Sequence, residues 1–294
     1  MILIVIIILY CLIIFHMKFW YPELRWDWNK IDTSKIKFPS SFFWGTATAS
    51  HQVEGNCINN NWFKWENNKD KNNEYRIKDN QVAGIACDHW NRYKEDIHLL
   101  KKLGVSHYRL SLEWSKIEPS KGEYNQEAIQ HYINVVDELI LHNITPAITL
   151  HHFTNPIWFD KLGGFENESN IIHFTTFSNH IFSILSDRVK LWCTINEPEV
   201  YSVMGYFNGV FPPGKKNPQL TVNVLKNLLI AHTKTYHLLK KSHNGDTCQI
   251  GLVKNIMQFD PYRRWHLLDW LVCYITNKVY ENYLKNIPPD NIEI

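Results

Sequence analysis

The run Lys190-Leu191-Trp192-Cys193-Thr194-Ile195-Asn196-Glu197-Pro198 is apolar until it ends on an amide and a carboxylate side by side. A glutamate presented in this way can give up and recover a proton, so Glu197 is a candidate catalytic acid. The alternative at the same position is a capping or loop glutamate, because carboxylates are common where strands give way to loops. Other side chains with chemical capacity occupy comparable places. Gln52 and Glu54 follow the first apolar run, Arg109 lies within the second, and His151 and His152 close the third.

Such groups need rigid elements to aim them. Alternating β-branched and aromatic residues make residues 190–197 a strand, and Pro198, which has no N–H for a ladder, ends it where the carboxylate emerges. Residues 42–49, 106–114, 145–153 and 249–256 read in the same way, as short apolar strands bounded by Gly, Pro or Asn. Between them, residues 93–103 and 127–141 carry apolar side chains at helical spacing before Gly104 and before His142-Asn143. Residues 226–241 read as a helix with basic residues near its C-terminal end, and residues 265–285 as an amphipathic helix. The β-α-β-α order predicts a parallel sheet with helices outside it, as a barrel or as an open doubly wound sheet. No strand is followed by a glycine-rich phosphate loop, which counts against nucleotide binding. In a barrel the polar strand ends would all face one active site.

Four ordered segments carry a resemblance. They are Phe43 to Gly55 (Phe-Trp-Gly-Thr-Ala-Thr-Ala-Ser-His-Gln-Val-Glu-Gly), Tyr108 to Trp114 (Tyr-Arg-Leu-Ser-Leu-Glu-Trp), Thr149 to Phe153 (Thr-Leu-His-His-Phe) and Thr194 to Pro198 (Thr-Ile-Asn-Glu-Pro). Together they resemble glycoside hydrolase family 1, the β-glucosidase family, from about Lys37 to about Ile256. The resemblance implies a (β/α)8 TIM barrel that hydrolyses β-O-glycosidic bonds with retention of configuration and uses no metal or organic cofactor. It makes Glu197 the acid/base, Asn196 the partner of the sugar 2-hydroxyl, Gln52 and His152 the holders of the 3- and 4-hydroxyls, and Arg109 the support of the nucleophile. The chemistry fits these residue types, since glycoside cleavage needs a proton for the leaving oxygen and a carboxylate at the anomeric carbon. A thioglucosidase would carry glutamine in place of Glu197, so ordinary O-glycosides are expected.

The sequence departs from the family in one large respect. Its nucleophile sits in an Ile-Thr-Glu-Asn-Gly-like segment near the seventh strand, and no such segment occurs in the 294 residues. Each strand-to-strand unit spends roughly 40 to 60 residues, so five strands use the chain as far as Ile256. The expectation is an incomplete barrel over residues 37–294, truncated after about five βα units, with an uncovered apolar interior and two open edges. Glycosidase activity would then need a second chain supplying the missing strands; the alternative is a catalytically inactive remnant or a sugar-binding half-barrel. Glu54, Glu113 and Glu118 could stand in for the nucleophile only by reaching within about 5 to 5.5 Å of Glu197 across the sugar. Glu113 is expected instead to make an ion pair, and Glu54 a turn or hydroxyl contact. Phe153-Thr154 stands where many relatives have Trp-Asp, which points to an altered specificity.

Composition excludes some classes. A formal net charge of +2 with no basic stripe gives no nucleic-acid signal, and the six cysteines show no metal-ligand spacing. Residues 69–73 form a polar loop expected to be solvated. Residues 1–16 form a separate hydrophobic segment, apolar through Phe15 and followed by Lys18. It is shorter than the roughly 20 residues of a spanning helix, and it suits the core of a signal peptide or an anchor. No small-x-small cleavage site follows, and translation from Met17 is the alternative. A cytoplasmic protein is expected, or a membrane-attached or exported one if residues 1–15 contact a membrane.

Overall fold

The computed structural model describes residues 2–20, 28–70 and 72–285, and the chain divides into two units. In the unit Phe43–Asn255, five strands form one sheet: β1 (Gly45–Ala47), β2 (His107–Ser111), β3 (Thr145–His151), β4 (Leu191–Asn196) and β5 (Gln249–Val253). Every pairing is parallel and the order is β1-β2-β3-β4-β5, each strand beside its sequence neighbour. A doubly wound sheet reverses its strand order at a switch point, whereas a barrel adds each strand on the same side. The sheet therefore follows barrel winding and comprises five units of a (β/α)8 architecture. The helices His89–Leu103, Gln126–Leu141, Ile171–Leu185 and Pro218–Lys241 lie in the four connections.

Local chemistry sets the element ends. Gly104 takes φ +81° after the first of these helices, Asn125 caps the second by accepting from the N–H groups of Glu127 and Ala128, and Asn217 caps the fourth ahead of Pro218. The core is aromatic. Trp114, Phe159, Phe174 and Phe177 are almost wholly buried, and the Trp114 ring stacks on Phe177 with centroids 4.8 Å apart.

Some expected bounds shift. β1 is confined to Gly45–Ala47 because an edge strand here has β2 as its sole ladder partner, and Phe43 and Trp44 remain exposed. Gln52, after the first strand, falls in the short helix Ser50–Val53. The helix expected over residues 226–241 starts earlier, at Pro218. Residues 171–185, rich in the strand formers Ile, Phe and Thr, form a helix that buries Ile171, Phe174, Ser178, Ile181 and Leu185 on one side.

In the other unit, Ile2–Trp20 and Leu267–Lys285 are helices. The Tyr10 hydroxyl donates to the Trp265 carbonyl, and the Asn277 side chain bonds both the N–H and the carbonyl of Phe259 (2.9 and 2.8 Å). The apolar run from Ile2 to Phe15 is about 21 Å long at about 1.5 Å per residue. Among the described residues no helix is long and apolar enough to cross a membrane.

Candidate active site

The C-terminal end of β4 is shaped by its last residues. Cys193 pairs with Gly251 but Asn196 with Val253, a register irregularity that places an extra β4 residue against β5. Such bulges re-aim side chains at barrel rims. Glu197 follows with φ +42° and ψ +64°, a left-handed conformation that costs an L-residue about 1 kcal/mol. It is held there by its N–H to the Val253 carbonyl (2.8 Å) and by the Tyr201 N–H to its own carbonyl (3.0 Å). Pro198 opens the short helix Pro198–Ser202 and fixes the exit.

Arg109 on β2 donates to the Asn196 side-chain oxygen at 2.6 Å. Barrel interiors are filled in layers drawn from alternate strands, and β2 and β4 are alternate strands, which accounts for a contact 87 residues apart in sequence. Arg109 Nε is buried and carries no hydrogen bond.

The adjacent histidines divide their tasks. His151, 1% exposed, pairs Nε2 with the Asn155 side-chain oxygen (3.0 Å), and Asn155 in turn donates to the Tyr201 hydroxyl (2.9 Å). Burial holds the His151 imidazole down at about 4. His152 is held down to about 3, by burial first and then by the positive charge of Arg109 and by His151. A neutral His152 can accept from a hydroxyl or donate to one.

Gln52 and His152 line one cavity of about 600 Å³, walled by Trp62, Phe153 and Phe211. Glu66 also lines it, accepting from the Ala83 N–H (3.1 Å) and lying 3.4 Å from His51 Nε2. Asn196, Glu197 and Arg109 do not line this cavity. The five expected site residues thus fall into two groups, with the charge of Arg109 acting on His152 between them.

The expected ion pair lies elsewhere. Glu113, fully buried, accepts from the hydroxyls of Ser50 (3.0 Å) and Ser115 (2.6 Å), and no salt bridge involves it among the described residues. Glu54 instead pairs with Lys116 (3.0 Å) and accepts from the Tyr132 hydroxyl (2.7 Å), because the lysine follows β2 on a helix turn that faces the Glu54 loop. Glu118 accepts from Trp114 Nε1 and the Gly122 N–H, both at 2.7 Å. All three carboxylates brace the ends of β1 and β2. Gly55 beside them has φ +83°, and a Cβ there would meet the Ile85 carbonyl oxygen at 2.3 Å, so a side chain is excluded. His51, Cys57 and Glu113 bring donor atoms within 4.8 Å of one another. His51 and Glu113 already have side-chain partners, and burial pushes the Cys57 thiol up, away from the thiolate a metal needs.

Glu199, two residues past Glu197, escaped the sequence reading. It is 8% exposed, accepts from the Asn255 N–H through Oε1 (2.7 Å), and leaves Oε2 buried without a partner. Burial, and secondarily the Glu197 charge, raises its carboxyl. Its adjacency to an Asn-Glu-Pro turn was the available signal.

A sequential parallel half-barrel with an Asn-Glu pair at the end of β4 defines a class, and comparison with known proteins gives the family. The family model described as Glycosyl hydrolase family 1 matches residues 34–269. Beta-glucosidase A of Acetivibrio thermocellus is 38% identical over 231 residues, covering 78% of this chain and 51% of that protein. Among solved structures, the beta-glycosidase from Pyrococcus horikoshii is 35% identical with a TM-score of 0.71, covering 84% of this chain and 55% of that one. The beta-glucosidase from Thermotoga maritima in complex with castanospermine is 34% identical with a TM-score of 0.72, covering 77% and 51%. The chain belongs to glycosyl hydrolase family 1. It spans about half the length of the curated relatives it matches.

Proposed function

We propose that this chain carries the acid/base half of a retaining β-glycosidase. Glu197 protonates the leaving oxygen and later takes a proton from water, Asn196 holds the 2-hydroxyl, and Gln52 and His152 hold the 3- and 4-hydroxyls. The reading rests on one observation above the others: Glu197 is held in a strained left-handed conformation at the C-terminal end of β4, beside an Asn196 already fixed by Arg109. The free Nε of Arg109 supports the companion role, a donor for the nucleophile carboxylate that the family carries beyond this sequence. β-Glucosides are the substrate class, by similarity to the beta-glucosidases of Acetivibrio thermocellus and Thermotoga maritima. The second reading is a sugar-binding half-barrel without turnover, supported by the cavity that Gln52 and His152 line apart from Glu197.

Calorimetry with castanospermine and an assay with an aryl β-glucoside test both readings, on the chain alone and mixed with a family polypeptide that carries the remaining strands. Turnover in the mixture that Glu197→Gln abolishes supports the glycosidase. Binding that Gln52→Ala and His152→Ala weaken, without turnover in either setting, supports the half-barrel. Neither binding nor turnover rejects both.

A further inference from the structure

A second cavity of about 320 Å³ lies behind one wall of the first. The wall is the short helix Asn61–Glu66 with two adjoining loops. Helical geometry sends its residues in opposite directions: Trp62 and Glu66, four apart, face the cavity of Gln52 and His152, whereas Asn61, Lys64 and Trp65 face the second cavity. The loops obey the same division, with Ile77 and Phe211 on the first side and Arg76 and Pro212 on the second.

The second cavity is rich in cations. Lys64, Lys69 and Arg76 line it, and Asp160 is its sole carboxylate. Lys69 and Tyr75 are joined by an antiparallel bridge, and the Lys69 ammonium lies 4.6 Å from the Tyr75 ring centroid, which brings Lys69 and Arg76 to the same end of a loop whose residues 69, 72 and 73 are exposed, as expected. Asp160 offsets part of this charge. Its nearest approach to Lys64 is 3.9 Å, and burial raises its carboxyl.

Arg76 is the distinctive group. Its guanidinium lies over the Trp65 ring at 4.0 Å, and Trp65 is buried beneath it. Gly214 permits this stack, since with φ +77° a Cβ there would strike the Trp65 ring at 2.6 Å. Among the described residues Arg76 makes no hydrogen bond or ion pair. Stacking occupies the face of a guanidinium and leaves the in-plane donors free, the geometry that grips two oxygens of one anion.

We propose that this second cavity is an oxyanion-binding subsite, in which Arg76 takes a phosphate, sulfate or carboxylate group through paired hydrogen bonds while Lys64 and Lys69 supply further charge. The subsite does not depend on Glu197. Because it shares a wall with the cavity of Gln52 and His152, the anion has two sources, a free ion or an acidic aglycone of a glycoside seated in the first cavity.

Titration of the full chain with inorganic phosphate at low salt, read by calorimetry and tryptophan fluorescence, tests the site. Saturable binding is expected, weakened about tenfold or more by Arg76→Gln. Lys64→Gln, which leaves the Arg76 stack intact, should cost about threefold and make binding less sensitive to salt. Gln52→Ala, in the other cavity, should bind phosphate unchanged. No phosphate binding, or binding of equal strength in Arg76→Gln and Lys64→Gln with unaltered circular dichroism, overturns the proposal. A parallel titration compares phenyl and 4-carboxyphenyl β-glucosides. Tighter binding of the carboxylate that Arg76→Gln erases assigns the anion to an aglycone, and equal binding of the two assigns the site to a free ion.

Discussion

The two units of the chain use apolar side chains in opposite ways. In Phe43–Asn255, Phe159, Phe174 and Phe177 are fully buried, and even Glu54, Glu113 and Lys116 have partners beneath the surface. In the other unit, Ile4 is 62% exposed, Leu268 62% and Val272 61%. Hydrophobicity states which residues gain from leaving water; it does not state what will cover them. In the first unit the strand and helix periods agree with one sheet and the helices between its strands, so the main apolar stripes meet one another, although single side chains such as Leu103 and Leu141 stay exposed. In the second, the helix Ile2–Trp20 is apolar around its whole circumference as far as Phe15, a pattern that no single packing face satisfies.

The largest expected effect tests the buried side of that contrast. Phe177→Ala should cost about 4 kcal/mol by opening a cavity against Trp114, read as a shift of the urea midpoint. A cost under about 1 kcal/mol would mean that the aromatic core is looser than its burial implies. Next come the charges. Lys116→Met should cost about 3 kcal/mol because it strands the Glu54 carboxylate, 5% exposed, without its cation. The corresponding change in the other unit, Lys35→Met, removes a partner from Asp32 at 3.3 Å in full solvent and should leave the midpoint where it was. Equal effects of the two lysines would erase the distinction between the units.

A smaller and graded effect is expected from pH. The folded chain holds His151 at about 4, below its ordinary value, so the unfolded chain takes up a proton first as pH falls. Stability is therefore full above about pH 6.5 and declines towards pH 4, by roughly 2 to 3 kcal/mol for this group. Midpoints measured across that window, with the His151 ring followed by NMR, check the sign. A ring that titrates near 6.5 would show that the contact with Asn155 does not exclude water.

How far the sequence foretold these sites depended on whether local chemistry decided them. β4 and its Asn196-Glu197 end were legible because Pro198 terminates any ladder, and the strand ends one residue before the glutamate. The element order alone made the sheet legible as α/β, and it took the four family segments to make it a barrel, since strand order is a tertiary property. Residues 171–185 were hidden by strand-forming Ile, Phe and Thr, although their burial follows a helical period. The Glu54–Lys116 pair could not be distinguished from a Glu113 pair, because residues 54 and 113 both stand at strand ends and only the turn after β2 decides which one the lysine meets. Arg109 was legible as a candidate site residue but not as the partner of Asn196. That contact depends on the layer shared by β2 and β4, which no local pattern records.

The smallest expected effect bears on the exposed stripe of Leu267–Lys285. Leu268, Leu271, Val272, Ile275 and Val279 recur at helical spacing and are all at least half exposed. Were this stripe unpartnered in solution, Leu271→Ser would remove no packed neighbour, and the urea midpoint should move by less than about 0.5 kcal/mol. Self-association, followed by sedimentation or light scattering, should decrease at the same time, since an apolar patch is the feature that draws copies together. If Leu271→Ser instead destabilised the chain on the scale of Phe177→Ala, the stripe would be buried in solution, and the contrast between the two units would reduce to a difference in what covers them.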